Sequence, residues 1–241
     1  MNHLTDRRFI VVGAGNIGRI LISRLQVAGV PARQIIMCDS NPERQAAAVA
    51  AFGISTSAPA DVIGSADMLL LAAPPKATVE ILQAIGRRIA PPQIIISFAA
   101  AVPLQKLEAL VSEGVAVARI MPNAPSMVGA GINPVAYGKA VKSAAKTLIQ
   151  ELLASLGESI EVQDEQMNWC VGLSGAAMRS LLPALEGMTQ AGIEAGLSPE
   201  AARQVAAQVM LGTALLAQRT TLSFDKIKAL TPMETIDEAE T

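Results

Sequence analysis

The residues best suited to chemistry near the start of the chain are Gly13-Ala14-Gly15-Asn16-Ile17-Gly18, a G-x-G-x-x-G run placed directly after the apolar stretch Phe9-Ile10-Val11-Val12. The first glycine permits a tight turn, the second lets backbone approach a pyrophosphate, and the third lets the following helix pack on the strand. Asp39 comes about 20 residues further on, closing a second apolar run, Ile35-Ile36-Met37-Cys38, where a carboxylate accepts a hydrogen bond from a ribose hydroxyl. That combination predicts a nicotinamide dinucleotide, NAD(H) or NADP(H). A fixed carboxylate repels a 2′-phosphate, which favours NAD(H), although Arg44 is close enough in sequence to meet such a phosphate. Other chemistries find no support. His3 is the single histidine and sits near the N-terminus, so a serine-hydrolase triad or a histidine-dependent dehydrogenase has no base. Cys38 and Cys170 match no metal-ligand spacing and read as free thiols in a reducing cytoplasm.

The elements that must position these residues alternate in kind. Strand-like runs at 9–12, 35–38, 54–56, 68–72, 94–96 and 115–120 are separated by helix-length segments at 16–28, 42–52, 61–65, 76–88 and 103–113. Alternation of this sort predicts a doubly wound α/β fold around a parallel sheet, completed by a helix at 139–156 and a short strand at 159–162. Beyond 164 no strand run remains. Segments 173–196 and 198–219 read as long helices, the second opened by Ser198-Pro199-Glu200, a serine cap with proline at the first helical position. The expected domains are therefore 1–162, a dinucleotide-binding Rossmann domain, and 163–241, a helical domain. The second long helix is apolar nearly all round from 205 to 216, which requires burial on several sides and predicts a homodimer through the C-terminal helices.

Composition bounds the partners. Of 241 residues, 51% are hydrophobic and 17% charged, with a net charge of −2 and one Trp, one Tyr and four Phe. No stretch concentrates Lys and Arg as a phosphate-neutralising nucleic-acid surface would, and no apolar run is long enough to span a membrane. The polar first eight residues do not read as a signal peptide, so a cytoplasmic protein acting on a small molecule is expected.

Three segments together resemble the pyrroline-5-carboxylate reductase family. They are the phosphate loop at 12–18, Ser97-Phe98-Ala99-Ala100-Ala101-Val102, and Arg119-Ile120-Met121-Pro122-Asn123-Ala124-Pro125 with Gly129 and Gly131, which is similar to an R-x-M-P-N-x-P loop. Leu173-Ser174-Gly175 and the stretch 191–197 follow that family's pattern for the first helices of a dimerisation domain. The resemblance implies hydride transfer from reduced nicotinamide to a cyclic imine in proline biosynthesis. It places Gly13, Ala14, Gly15, Asn16, Ile17, Gly18, Ala72, Ala73, Pro74, Pro75 and Ala99 at the dinucleotide, and Pro122 and Asn123 beside the nicotinamide. The competing reading of Asn123 is a turn residue bonded to nearby backbone.

Departures cluster on the substrate side. Ala73-Pro74-Pro75-Lys76 stands where the family has V-K-P-Q, and only Ser174-Gly175 persists from S-G-S-G-P-A. Thr231-Pro232-Met233-Glu234-Thr235 stands where S-P-G-G-T-T holds the substrate carboxylate. Asn123, Ser174, Arg179, Thr231 and Thr235 are the substrate-side candidates, with Ser174 as the catalytic candidate that would orient the imine nitrogen. Two alternatives stand beside this reading. Gly172-Leu173-Ser174-Gly175 with Arg179 resembles the G-x-x-G-x-x-x-K of β-hydroxyacid dehydrogenases, with arginine in place of lysine. A catalytically inactive NAD(P)-binding regulatory protein is the other.

Overall fold

Strands made of unbroken Val, Ile, Leu and Met have no polar face to give to solvent, so they must be covered on both sides. The computed structural model, which describes residues 3–231, covers them in that way. In chain order the elements are β1 (Phe9–Val12), α1 (Asn16–Val27), β2 (Ile35–Cys38), α2 (Pro42–Phe52), β3 (Ser55–Thr56), α3 (Pro59–Val62), β4 (Met68–Leu71), α4 (Pro75–Ile85), β5 (Ile94–Ser97), α5 (Leu104–Ala109), β6 (Ala116–Ile120), β7 (Gly131–Tyr137), α6 (Ser143–Leu156), β8 (Gly157–Glu161) and α7 (Met167–Cys170). The strands form one sheet in the order β3-β2-β1-β4-β5-β6-β7-β8. Pairing is parallel except between β6 and β7, so β7 and β8 run against the rest.

Side chains alternate across the sheet with the period of two that extended backbone imposes. Phe9, Val11, Met37, Leu70 and Ile96 enter one core with Leu21, Leu25, Ile149 and Leu153 of the helices on that side. Ile10, Val12, Leu69, Leu71 and Ile95 enter the other with Leu82, Ile85, Leu104 and Leu107. This is the doubly wound, Rossmann-like arrangement expected from the sequence.

Several boundaries differ from expectation. Strand β7 was not anticipated because Asn133 and Pro134 interrupt it, and proline lacks the donor a ladder needs. Pro134 lies one place beyond the last β6 pair, Ile120–Val135, and accepts from Met121 N–H at 3.0 Å, so its missing N–H falls where that ladder ends. The helix expected at 103–113 stops at Ala109, and that expected at 139–156 starts only at Ser143. The long helix expected from 173 is preceded by a π-helical turn, Val171–Ala176.

The chain divides into two compact units, Met1–Ala176 and Ala177–Thr241, where the sequence placed its boundary at 162/163. The intervening segment packs with the first unit: Met167 is fully buried in the second of the two cores, and Asp164 pairs with Arg119 of β6. The second unit is helical, with α8 (Met178–Glu194), α9 (Pro199–Arg219) and α10 (Phe224–Lys228). Ser198 caps α9, accepting from Ala201 N–H at 3.2 Å. Helices α8 and α9 approach so closely that a Cβ at Gly192 would lie 2.9 Å from that of Ala202. Within this unit Leu181, Val205, Val209 and Leu211 remain exposed. Among the described residues no helix is long and apolar enough to cross a membrane.

Candidate active site

The carboxyl ends of parallel strands, where the backbone turns away, form the crevice in which open α/β sheets bind ligands. Here the turn after β1 is held tightly. Gly13 N–H donates to the Cys38 carbonyl at 2.7 Å, and Ala14 N–H donates to Asp39 Oδ2 at 2.7 Å. Gly13 has φ of +105°, and a Cβ there would lie 2.7 Å from the Ala72 carbonyl oxygen, so only glycine is accommodated. A Cβ on Gly18 would overlap the carbonyl oxygen of Gly13, which fixes the approach of α1 to the turn.

Gly15 differs from both. A Cβ there would meet no protein atom within 4 Å, and its φ of −71° is open to any residue. The protein itself therefore gives no reason for glycine, whereas a ligand resting against the backbone does. Gly15 is also the N-cap of α1, with no side-chain cap and no acidic residue in the first turn. Free N–H groups and the positive end of the helix dipole suit a pyrophosphate. The residues present fit a dinucleotide.

These groups open into a cleft of about 1090 Å3. Gly13, Gly15, Asp39, Ala72, Ala73, Pro74, Pro75 and Ala99 line it. Ala14, Asn16, Ile17 and Gly18 build the turn and the first helical residues without being part of the lining. The Ala72–Pro75 wall is braced from behind by Thr78, fully buried, whose Oγ1 donates to the Ala73 carbonyl at 3.0 Å. Lys76 pairs at 3.8 Å with Glu80 on the exposed face of α4, a solvated first-turn lysine.

Asp39 carries more than one duty. Its Oδ2 takes the Ala14 N–H and its Oδ1 takes the Asn41 N–H at 2.8 Å, so the carboxylate ties the phosphate loop to the end of β2. Sequence reasoning did not anticipate this bond, nor the contributions of Ser40, Gln45, Thr56, Ser57 and Phe98 to the lining. The signal for Thr56 and Phe98 was available in principle: each ends or follows a parallel strand. Cys38 also faces the cleft, but burial, with the nearby Asp61 charge, pushes its thiol up to about 12. It is not a nucleophile at neutral pH.

The remaining candidates are distributed differently. Pro122 and Asn123 do not line this cleft. Asn123 Oδ1 accepts from Ile132 N–H at 3.1 Å, and its Nδ2 donates to the Ser174 carbonyl at 3.1 Å. Both ends of the amide are thus engaged by the chain's own backbone. Ser174 Oγ donates to the Cys170 carbonyl at 2.6 Å, which leaves the oxygen able only to accept from a ligand. Arg179 opens α8 in the second unit and makes no ion pair among the described residues. Thr231 is exposed, and Thr235 lies outside the described residues. His3 contacts Glu151 of α6 and takes no part in the cleft.

Comparison with known proteins agrees with this geometry. Residues 8–114 match the family described as NADP oxidoreductase coenzyme F420-dependent, and residues 164–232 match pyrroline-5-carboxylate reductase dimerisation. A pyrroline-5-carboxylate reductase of Pseudomonas aeruginosa is 32% identical over 216 residues, covering 89% of this chain and 79% of the relative. Pyrroline-5-carboxylate reductase 1 of Bacillus subtilis is 31% identical over 218 residues, covering 89% and 73%. Among solved structures, a pyrroline-5-carboxylate reductase from Coxiella burnetii superposes with a TM-score of 0.80 at 22% identity, covering 97% of this chain and 87% of that one. The Plasmodium falciparum pyrroline carboxylate reductase with NADP bound gives 0.81 at 18% identity, covering 98% and 88%.

Proposed function

Because the chain belongs to the pyrroline-5-carboxylate reductase family, we propose that it is an NAD(P)H-dependent reductase that converts 1-pyrroline-5-carboxylate to proline. The observation that carries this reading is Gly15: a glycine the fold does not need, at an uncapped helix N-terminus, opening on a cleft at the carboxyl ends of β1, β2 and β4. The bound dinucleotide supplies the hydride. A cyclic imine protonates at nitrogen near neutral pH, and hydride adds to the ring carbon double-bonded to that nitrogen, giving a secondary amine. No side-chain acid is required for that addition, which suits a chain whose single histidine is engaged with Glu151. The protein's task is to hold the two reactants at reacting distance.

On the substrate side we assign Ser174, as an acceptor for the iminium N–H, together with Arg179, Thr231 and Thr235. A guanidinium at 179 suits a carboxylate and, remaining protonated, cannot serve as the acid–base group of a β-hydroxyacid dehydrogenase. The exposed apolar residues of α8 and α9 support a homodimer formed through the C-terminal helices. The two thiols, neither in a disulfide, suit a reducing cytoplasm.

For the cofactor we favour NADH. Asp39 cannot swing away from a 2′-phosphate, because two backbone N–H groups hold it at the cleft. Arg44 lines the same cleft and makes no ion pair among the described residues, so it is the group available to a 2′-phosphate. Oxidation of NADH and of NADPH by pyrroline-5-carboxylate, followed through the nicotinamide absorbance, tests both levels. Turnover with either cofactor is expected, with NADH giving the larger kcat/KM. Arg44→Ala should leave NADH within about twofold and weaken NADPH by about tenfold, the equivalent of one charge-assisted hydrogen bond. Cofactor bound without turnover would instead mark a regulatory protein.

A further inference from the structure

Segment 164–176 carries Ser174 and reaches it through a π-helical turn, a form whose hydrogen bonding is looser than that of an α-helix and which is uncommon outside functional sites. Its position against the sheet depends on what holds it. Two of its attachments come from β6 and its exit. At one end Arg119, only 3% exposed, forms an ion pair with Asp164, whose second oxygen accepts from Leu104 N–H at 2.8 Å at the start of α5. At the other end Asn123 Nδ2 donates to the Ser174 carbonyl inside the π turn, while its Oδ1 accepts from Ile132 N–H at the start of β7. Between them Met167 is fully buried. Arg119 and Asn123 are separated by three residues, and the second of these, Met121, is itself bonded to Pro134 of β7.

The location of these attachments matters. Arg119 is in register with Ser97, the last residue of β5, and the residues that follow Ser97, Phe98 to Ala100, line the cofactor cleft. Asp39 marks the ribose end of that cleft next to the adenine, so the Ala99 end is the one that receives the nicotinamide. The β6 exit stands beside it. Asn123 does not line the cleft, and each end of its amide makes a hydrogen bond to the chain's own backbone.

We propose that Asn123 is a positioning residue for hydride transfer: through the Ser174 carbonyl it fixes the π turn beside the nicotinamide end of the cleft, with the Arg119–Asp164 pair as the second, remote attachment of the same segment. This rests on the reductase reading given above. It replaces direct contact of Asn123 with the nicotinamide by action through residues 171–176.

Asn123→Asp isolates the claim. An aspartate keeps an oxygen for the Ile132 N–H, and it removes the donor to Ser174 while setting a second oxygen against that carbonyl. The expected result is a kcat lowered by about tenfold or more, the tenfold corresponding to one lost hydrogen bond between an amide and a carbonyl in a preorganised site. NADH affinity should stay within about twofold of wild type, and thermal stability should be nearly unchanged. Amide hydrogen exchange in 171–176 should accelerate while exchange in β6 does not. Wild-type turnover in the same assay separates the two levels. A wild type that does not reduce pyrroline-5-carboxylate defeats the reductase reading. An active wild type with an Asn123→Asp enzyme of undiminished kcat, or with unchanged exchange in 171–176, overturns the positioning role. An equal loss in NADH affinity also overturns it, since Asn123 would then touch the cofactor. Asn123→Ser serves as the check on folding: if both variants lose stability together, circular dichroism and exchange in β6 report it, and a purely structural role is the result.

Discussion

Replacing Gly15 by valine should lower NADH affinity by about 30-fold or more while leaving the melting temperature within a degree or two. The added side chain meets no protein atom, and the backbone there is in a region valine adopts readily, so folding has nothing to lose. The cleft does lose. A pyrophosphate that rests on the N–H groups at the start of α1 would have to retreat from the new methyl groups, giving up roughly 2 kcal/mol on the scale where 1.4 kcal/mol is tenfold. The contrast is with Gly18→Ala, a substitution smaller by two carbons. Its Cβ overlaps the Gly13 carbonyl oxygen, a backbone atom that cannot turn aside, so the helix must shift from the strand. Overpacking of that kind costs about 1–3 kcal/mol, and for a domain of this size each kcal/mol lowers the melting temperature by about 2–4 °C. Titration of NADH by fluorescence, with thermal melts in its absence, separates the two glycines. Equal behaviour of the two variants in both measurements would contradict the account of the turn.

Asp164→Ala should be the most destabilising single change among the polar residues of the first unit. Arg119 is 3% exposed, and Asp164 is its one ion-pair partner among the described residues. The Arg119 Nε is already without a hydrogen-bond partner, so the guanidinium has no reserve contact to fall back on. Removing the carboxylate leaves a buried, uncompensated cation and strips the acceptor from Leu104 N–H. Breaking one side of such a pair costs about 3–5 kcal/mol, and the 18% exposure of the Asp164 side chain places the effect toward the lower figure. A fall in melting temperature of about 10 °C is expected. The double variant Arg119→Met with Asp164→Asn should recover most of it, because the buried charge is gone and an amide oxygen still accepts from Leu104. A double variant no more stable than Asp164→Ala would show that the pair is not what holds the segment.

The parts of this protein legible from sequence are those written in neighbouring residues. A strand, a glycine turn and a helix in immediate succession identified the phosphate loop, and unbroken apolar runs identified the doubly wound sheet. The unanticipated parts depend on partners far apart in the chain. Strand β7 carries Pro134, which local rules disfavour, and it exists because the proline falls where the β6 ladder ends. Asp39 was legible as an acid at the end of β2, but its bond to Ala14 N–H joins residues 25 positions apart and gives it a structural part that no local pattern shows. Asn123 shows the same effect over 51 positions: the family resemblance singled it out, whereas no local pattern could assign its bond to the Ser174 carbonyl. By compactness the two units divide after Ala176, later than the 162/163 boundary, for a related reason. Asp164 and Met167 look like the start of the helical region, and only their attachment to β6 and to the core assigns them to the sheet.

The most direct measurement of the central claim is isotopic. The protein, NADH carrying deuterium at the transferable position of the nicotinamide, and pyrroline-5-carboxylate are combined, and the amine product is analysed by mass spectrometry and NMR. A reductase of this family should give proline with one deuterium on the former imine carbon, in step with loss of the reduced nicotinamide. Proline without deuterium, or cofactor that stays reduced while bound in the cleft, would contradict hydride transfer and leave the fold with another use.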